Sequence, residues 1–283
     1  MSSASFENIY YLGPDGSNAH FAATEFLRRS GVSVKNKLPK RSIRTAIEDL
    51  QTDYSAICVL PIENSLEGIV RETIDNIQRL NDQTIQIKGE ITIPINHSLL
   101  ANTEDKAEIK KIISHPQALA QCGNYLHENF PDAEISEVSS TSYAAQKIAQ
   151  SGSKEIAAIA NESCSKIFNL NILEKNINDE AGNQTRFYIL GRENIADLKT
   201  GKTAIMLATK NEPGALCHIL QIFEKHNINL TYIDSRPSRK HLGEYLFFLE
   251  IDGLYDDYKI KLAVEEILKN VEFFKHMGSF YLF

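Results

Sequence analysis

The sequence predicts an α/β protein built from two successive units. From residue 8 to about 190, short apolar runs alternate with segments whose apolar residues recur every three or four positions. That alternation is the pattern of parallel strands joined by helices. From residue 203 onward the order becomes βαββαβ, a ferredoxin-like sandwich. Between them, 192–202 is polar and non-periodic and reads as a linker.

In the first unit, an apolar strand over 8–12 runs into the turn-forming string Gly13-Pro14-Asp15-Gly16-Ser17. A helix follows over 18–29, with Phe21, Phe26 and Leu27 on or near one face. A helix over 42–51 and a strand over 55–60 come next. Pro61-Ile62-Glu63-Asn64-Ser65 then leads into a helix carrying Ile69, Thr73, Ile77 and Leu80 at helical spacing. Residues 89–100 read as one strand kinked at Pro94, and 111–114 as a short strand ending at His115-Pro116. Pro116 suits a first helical turn, and Leu119, Cys122, Leu126 and Phe130 continue that helix. A strand near 133–138 precedes the capping run Ser139-Ser140-Thr141-Ser142 and a helix over 143–150. A strand over 155–160, a helix over 161–168 and a strand over 187–190 complete the unit. The second unit reads as strand 203–209, helix 214–226, strands 229–236 and 244–251, helix 258–270 and strand 273–282.

The 283 residues are 42% hydrophobic and 24% charged, enough apolar matter for real cores and too much for a disordered chain. Thirty basic and 37 acidic residues give a net charge of −7, which offers no general field for nucleic acid or an anionic membrane. An anionic ligand must then be held by local donors. No apolar run reaches the roughly 18–20 residues of a membrane span, and residues 1–8 lack the marks of a signal peptide. Cys58, Cys122, Cys164 and Cys217 are widely spaced with no CxxC pair, so a metal site or disulfide framework is not expected and a reducing, cytoplasmic setting is.

Four polar clusters stand at strand-to-helix junctions: Gly16-Ser17, Glu63-Asn64-Ser65, Ser114 to Gln121, and Thr141-Ser142. Open α/β sheets bind ligands beyond the carboxyl ends of their strands, where helix N-termini offer free N–H groups. Each cluster alone reads more readily as a helix cap. A fifth cluster, Asn183-Gln184-Thr185-Arg186-Phe187, opens a strand and places a hydroxyl beside a guanidinium. Dinucleotide, P-loop, zinc-protease and nucleophile-elbow signatures are absent, and the eight histidines do not pair at metal spacing. His115 reads as a cap. The expected chemistry uses donors, acceptors and shape, with no cofactor and no metal.

Taken together and in order, the Gly13–Ser17 string, Pro61-Ile62-Glu63-Asn64-Ser65-Leu66-Glu67-Gly68, Ser114-His115-Pro116-Gln117, Ser140-Thr141-Ser142 and Thr185-Arg186-Phe187 resemble the prephenate dehydratases. Pro213-Gly214-Ala215-Leu216 and Asp234-Ser235-Arg236-Pro237 resemble an ACT regulatory domain. The resemblance implies a catalytic domain over 6–191 in two lobes, similar to a periplasmic binding protein. Lobe 1 would cover about 6–93 and 183–191, lobe 2 about 94–182, and the ACT domain 202–283. It implies a lyase that removes water and carbon dioxide from prephenate to give phenylpyruvate, with L-phenylalanine as inhibiting effector. No chorismate mutase segment is expected ahead of the first strand.

Carried over by motif, the resemblance implies that Thr185 is the donor at the leaving oxygen or its positioner. Asn64, Gln121 and Ser114 line the pocket, and Glu63 is an acid of the same segment. Gly16, Ser17, Ser65, Thr141, Ser142, Arg186 and Phe187 bind substrate. Asn211, Pro213, Gly214, Ala215, Leu216, Asp234, Ser235, Arg236 and Pro237 would bind phenylalanine, at a subunit interface. The chain departs from the family at Ser139, where some members carry an acid, and at Asp234, where Glu is commoner. A homodimer or homotetramer is expected, because a βαββαβ sheet leaves a face bare or an edge open. Arogenate dehydratase and a non-catalytic sensor of aromatic metabolites are the competing readings.

Overall fold

The computed structural model describes residues 4–80, 82–195, 200–237 and 245–283. The predicted linker falls partly, and residues 238–244 wholly, outside them. The chain opens with β1 (Ser5–Leu12), α1 (Asn18–Ser30), β2 (Ser33–Lys40), α2 (Ile43–Thr52), β3 (Ala56–Asn64), β4 (Gly68–Ile69), α3 (Arg71–Gln78) and β5 (Gln86–Pro94). It passes to a second sheet through β6 (Ser98–Ala101), β7 (Lys111–Ser114), α4 (Pro116–Ala120), α5 (Gly123–Asn129), β8 (Glu134–Glu137), α6 (Thr141–Ser151), β9 (Ile156–Ala160), α7 (Ser163–Phe168) and β10 (Asn171–Glu174). It returns in β11 (Gln184–Gly191). The C-terminal unit is β12 (Lys202–Thr209), α8 (Ala215–Lys225), β13 (Leu230–Pro237), β14 (Tyr245–Asp252), α9 (Tyr258–Ile267) and β15 (Val271–Leu282).

The first lobe's strands lie in the order β5-β11-β3-β1-β2, and the second lobe's in the order β10-β6-β9-β7-β8. Strand alternation sorts the first sheet into two faces. Ile9, Tyr11, Val59, Ile91 and Phe187 pack under α1, through its Ala19, Ala22, Ala23 and Phe26. Tyr10, Cys58, Leu60 and Tyr188 pack under α2 and α3. Full burial of Phe26 alone contributes about 1.5–3 kcal/mol.

The βαββαβ unit has the order β13-β14-β12-β15, and β15 pairs in parallel with β5 through Tyr281↔Gly89 and Leu282↔Glu90. Its helix-free face is not bare. Met206, Phe248, Met277 and Phe280 join the core formed by Leu60, Ile74 and Tyr188 of the first lobe. The expectation of a partner over that face is thereby corrected, since the chain's own first lobe covers it. The open edge is β13, where Ile233 is 43% exposed.

Five local expectations change. The strand β2 is absent from the sequence reading because SVKNKLPK is polar, and it lies at the sheet edge with five of its eight residues exposed. The short β10 is also an edge strand and was missed likewise. The stretch 89–100 is two strands in two sheets, broken after Pro94. The helix expected through 116–130 stops at Gln121–Cys122 and restarts at Gly123. Ile69 belongs to β4, so α3 begins only at Arg71.

Candidate active site

Between the lobes lies a cleft of about 350 Å³. It is walled by five stretches: Leu12–Ala19, the end of β3 with Glu67 and Val70, Ile95 and His97 on the outgoing crossover, His115–Ala118 with Ser139–Ser142, and Thr185 with Phe187 on β11. The capping reading and the site reading hold together here. Ser17 accepts from His20 N and Ser140 from Tyr143 N, and both also line the cleft. The N-termini of α1 and α6 therefore open onto it, presenting the positive ends of two helices. Among the described residues lining the cleft there is no Lys or Arg; the one carboxylate is Glu67.

Thr185 sits at the mouth of β11, opposite Asn64 on β3. The Nδ2 of Asn64 donates to Thr185 Oγ1 and to Asn183 Oδ1, both at 2.8 Å. Thr185 is 7% exposed and its hydroxyl accepts from an amide, so its own hydrogen is available to a cleft ligand. Gln121 does not face the same hollow. It lines an adjoining one with Asn124 and Asp179, while Glu67 and Gln117 line both. It is tied to the cleft through Asn183 Nδ2, at 3.5 Å from Gln121 Oε1, and through His97 Nε2, at 2.9 Å. Burial lowers the pKa of His97 and outweighs its bond to Gln121, so the ring is neutral at pH 7.

Several expected site residues stand elsewhere. Ser114 is fully buried and donates to Ile159 O at 2.6 Å, a bond inside the second lobe rather than one to a ligand. Arg186 follows Thr185 on a strand and so points to the opposite face. There it meets Glu90 at 3.0 Å and Glu250 at 2.9 Å, away from the cleft. Glu63 is turned the same way and stands 3.2 Å from Arg186 Nε. Ser65 is held by Asn183 and Gln184 and does not line the cleft. Gly16 packs behind the cleft wall, its carbonyl accepting from Cys164 Sγ at 3.3 Å across the lobes. Its φ of +82°, and the 2.8 Å a Cβ would leave to that sulfur, explain glycine there. Ser17, Asn64, Thr141, Ser142, Thr185 and Phe187 do line the cleft.

The effector residues are likewise divided within one chain. Asn211, Gly214, Ala215 and Leu216 line a hollow with Tyr245 and Phe247 at the head of α8. Pro213 lines a smaller one beside it. No residue of β13 lines either. Asp234 opposes Phe248 in the sheet and shares its face, toward the first lobe, where Arg236 lies 3.0 Å from Asp234 and 3.6 Å from Asp75 of α3. Ser235 and Pro237 are exposed on β13. Within one chain, strand alternation turns Asp234 and Arg236 away from Gly214.

His97 and Asn183 have no assigned role in the sequence reading, and neither do Asn18, Glu67 and Gln117 of the cleft lining. Asn183 lay within the quoted fifth cluster. His97 follows the Pro94 break, which marked a kink but not a crossover.

Two α/β lobes around a cleft with no Lys or Arg among its described lining residues, followed by a βαββαβ sandwich, define a two-lobed α/β ligand-cleft protein with an appended second unit. The prephenate dehydratase family profile matches residues 9–195, and the ACT domain profile matches residues 203–267. The chain is 38% identical over 265 residues to the prephenate dehydratase of Lactococcus lactis subsp. lactis, covering 92% of each. It is 41% identical over 225 residues to that of Methanocaldococcus jannaschii, covering 78% of each. The solved prephenate dehydratase of Arthrobacter aurescens in complex with L-Phe aligns with a TM-score of 0.83 and 29% identity, over 96% of this chain and 89% of that one. The chain belongs to the prephenate dehydratase family and carries a C-terminal ACT domain.

Proposed function

We propose that the chain catalyses the decarboxylative dehydration of prephenate to phenylpyruvate, a carbon–oxygen lyase reaction of phenylalanine biosynthesis, under feedback inhibition by L-phenylalanine. The observation that carries the reading is the Asn64–Thr185 hydrogen bond in a cleft free of cationic side chains. Prephenate carries two carboxylates and a ring hydroxyl para to one of them. Aromatisation supplies much of the driving force. The barrier lies in releasing hydroxide while the ring carboxylate collapses to carbon dioxide.

A preorganised donor at the departing oxygen lowers that barrier, and such electrostatic terms are usually the largest in catalysis. Thr185 fills this role as a hydrogen-bond donor rather than a full acid, because its hydroxyl is a weak acid. The amide bond it accepts from Asn64 polarises the hydroxyl and strengthens what it donates. Main-chain N–H groups at α1 and α6, with Ser17, Thr141 and Ser142, receive the carboxylates. A carbon–carbon bond at the carboxylate and the carbon–oxygen bond break together, and the ring keeps the electron pair.

We assign residues 6–191 to catalysis and 202–283 to regulation. Phenylalanine binds at the head of α8, with its other contacts drawn from a second subunit's β13 edge in a homodimer or homotetramer, and the enzyme works in the cytoplasm. Arogenate is the alternative substrate, differing by an amine in place of the keto group. The deciding experiment is steady-state turnover of prephenate and of arogenate, each with and without phenylalanine. Expected are phenylpyruvate from prephenate and suppression by phenylalanine. Turnover of neither substrate sinks the enzymatic reading in favour of a sensor, and unaltered rates with phenylalanine sink the regulatory one.

A further inference from the structure

The amide side chains of the cleft form one chain of hydrogen bonds whose direction is fixed. Asn64 Oδ1 accepts from two main-chain amides, Leu66 N at 3.0 Å and Glu67 N at 3.1 Å. Main-chain amides only donate, so this atom is the oxygen and Asn64 Nδ2 is the donor. Nδ2 has two hydrogens, and its shortest acceptors are Asn183 Oδ1 and Thr185 Oγ1, with Gln184 O further off at 3.1 Å. Asn183 is thereby oriented too. Its Nδ2 points at Gln121 Oε1, and that oxygen in turn requires a proton on His97 Nε2. The polarity runs without conflict from the Leu66 and Glu67 amides to His97.

Asn183 stands at the centre of this chain. It is 3% exposed. It lies where the chain re-enters the first sheet, and its carbonyl accepts from Ile95 N of the outgoing crossover at 2.8 Å. The neighbouring crossover contacts are also amide-held, with His97 N donating to Asn178 Oδ1 at 2.7 Å. Asn183 is therefore the one member whose side chain joins a first-lobe residue, Asn64, to a second-lobe residue, Gln121. Its oxygen occupies one hydrogen of Asn64 Nδ2, which leaves the other aimed at Thr185.

We infer that Asn183 is a positioning residue for the dehydration. It fixes the Asn64 amide so that the Thr185 hydroxyl is held as a donor, and it sets the spacing between that hydroxyl and Gln121 across the two crossovers. The inference rests on the dehydratase reading above. Both of its functions need one acceptor and one donor on a planar group of asparagine's size.

The test is the pH dependence of prephenate turnover in the full-length wild type, Asn183→Ala and Asn183→Asp, with uncatalysed aromatisation in acid subtracted. Folding is checked by circular dichroism. Asn183→Ala should lose on the order of 10²-fold in kcat, the scale set by misplacing a reacting group. Asn183→Asp should be similarly impaired at neutral pH, because an ionised carboxylate has no hydrogen for Gln121. Its kcat should climb as the pH falls through the new carboxyl's titration, since the protonated acid again has one acceptor and one donor. A purely structural asparagine would give no such recovery. The assignment is overturned by an Asn183→Ala kcat within about threefold of wild type, by an Asn183→Asp profile parallel to wild type, or by failure of both variants to fold. A wild type inactive on prephenate overturns the dehydratase reading and this inference with it; an active wild type with unaffected variants overturns this inference alone.

Discussion

Arg186 and Glu250 form a two-pronged ion pair across the boundary between the first lobe and the C-terminal unit, with Nη1–Oε2 and Nη2–Oε1 both at 2.9 Å. Glu250 is fully buried on β14, and Tyr188 OH also donates to it. Lys202 lies 3.3 Å away and Glu90 3.0 Å from the same guanidinium. Burial works against the Arg186 charge, but hydrogen bonds and Coulombic pairing with Glu250 hold its pKa above the ordinary value. Burial pushes the Glu90 carboxyl up against the pull of Arg186 and Lys202, in a cluster of three acids facing two cations.

Leaving a buried charge wholly unpaired costs about 3–5 kcal/mol. Glu250→Gln removes the two-pronged partner but leaves Glu90 and Glu63 beside Arg186, so it should lower the unfolding free energy by less than that, seen as a lower urea midpoint at an unchanged slope. A midpoint equal to wild type would show that Glu90 and Glu63 rearrange to replace Glu250.

Thr185→Ala should lower kcat by about 10²–10³, the range for one lost transition-state donor, with a small change in KM. Thr185→Ser should keep most of the rate, because the Oγ that accepts from Asn64 remains. Equal losses in the two variants would assign the role to the methyl group instead.

His276 on β15 stacks on Tyr255 with ring centroids 4.1 Å apart, and burial, with Lys88 nearby, lowers its pKa to about 4. Its folded pKa is below the 6.5 of an ordinary histidine, so the unfolded chain takes up a proton first on acidification. The neutral ring's contribution is present above about 6.5, is lost as the pH falls toward about 4, and does not change further below that. His276→Phe should flatten the fall in unfolding free energy across this window. Parallel wild-type and variant curves would contradict the assignment.

Cys58, Cys122 and Cys164 are buried, and burial raises the pKa of Cys122 and of Cys164 to about 12; Cys217 is exposed. A thiol reagent should label one cysteine in the native chain and all four after denaturation. Fast labelling of Cys164 would mean that the lobes part at the Gly16 contact.

Much of the fold follows from local pattern. Alternating strands and helices, Ser17 and Ser140 as caps, Pro116 opening α4 and the βαββαβ order are all carried by neighbouring residues. The edge strands β2 and β10 were not legible, because an edge strand is half solvated and needs no apolar alternation. The stretch from Ser114 to Gln121 looked like one polar cluster, yet Ser114 is a core residue and Gln121 faces a different hollow.

By itself the sequence determined which residues could donate without charge: the hydroxyls and amides at Ser17, Asn64, Thr141 and Thr185, in a net acidic chain that needs local donors for an anion. Tertiary structure decided which of two adjacent residues serves the cleft. Thr185 and Arg186 are neighbours in the chain, but the two-residue period of a strand sends one into the cleft and the other to the C-terminal sandwich. That sandwich lies against β5 through contacts far apart in sequence, and such pairing is set by which buried faces fit together rather than by any local pattern.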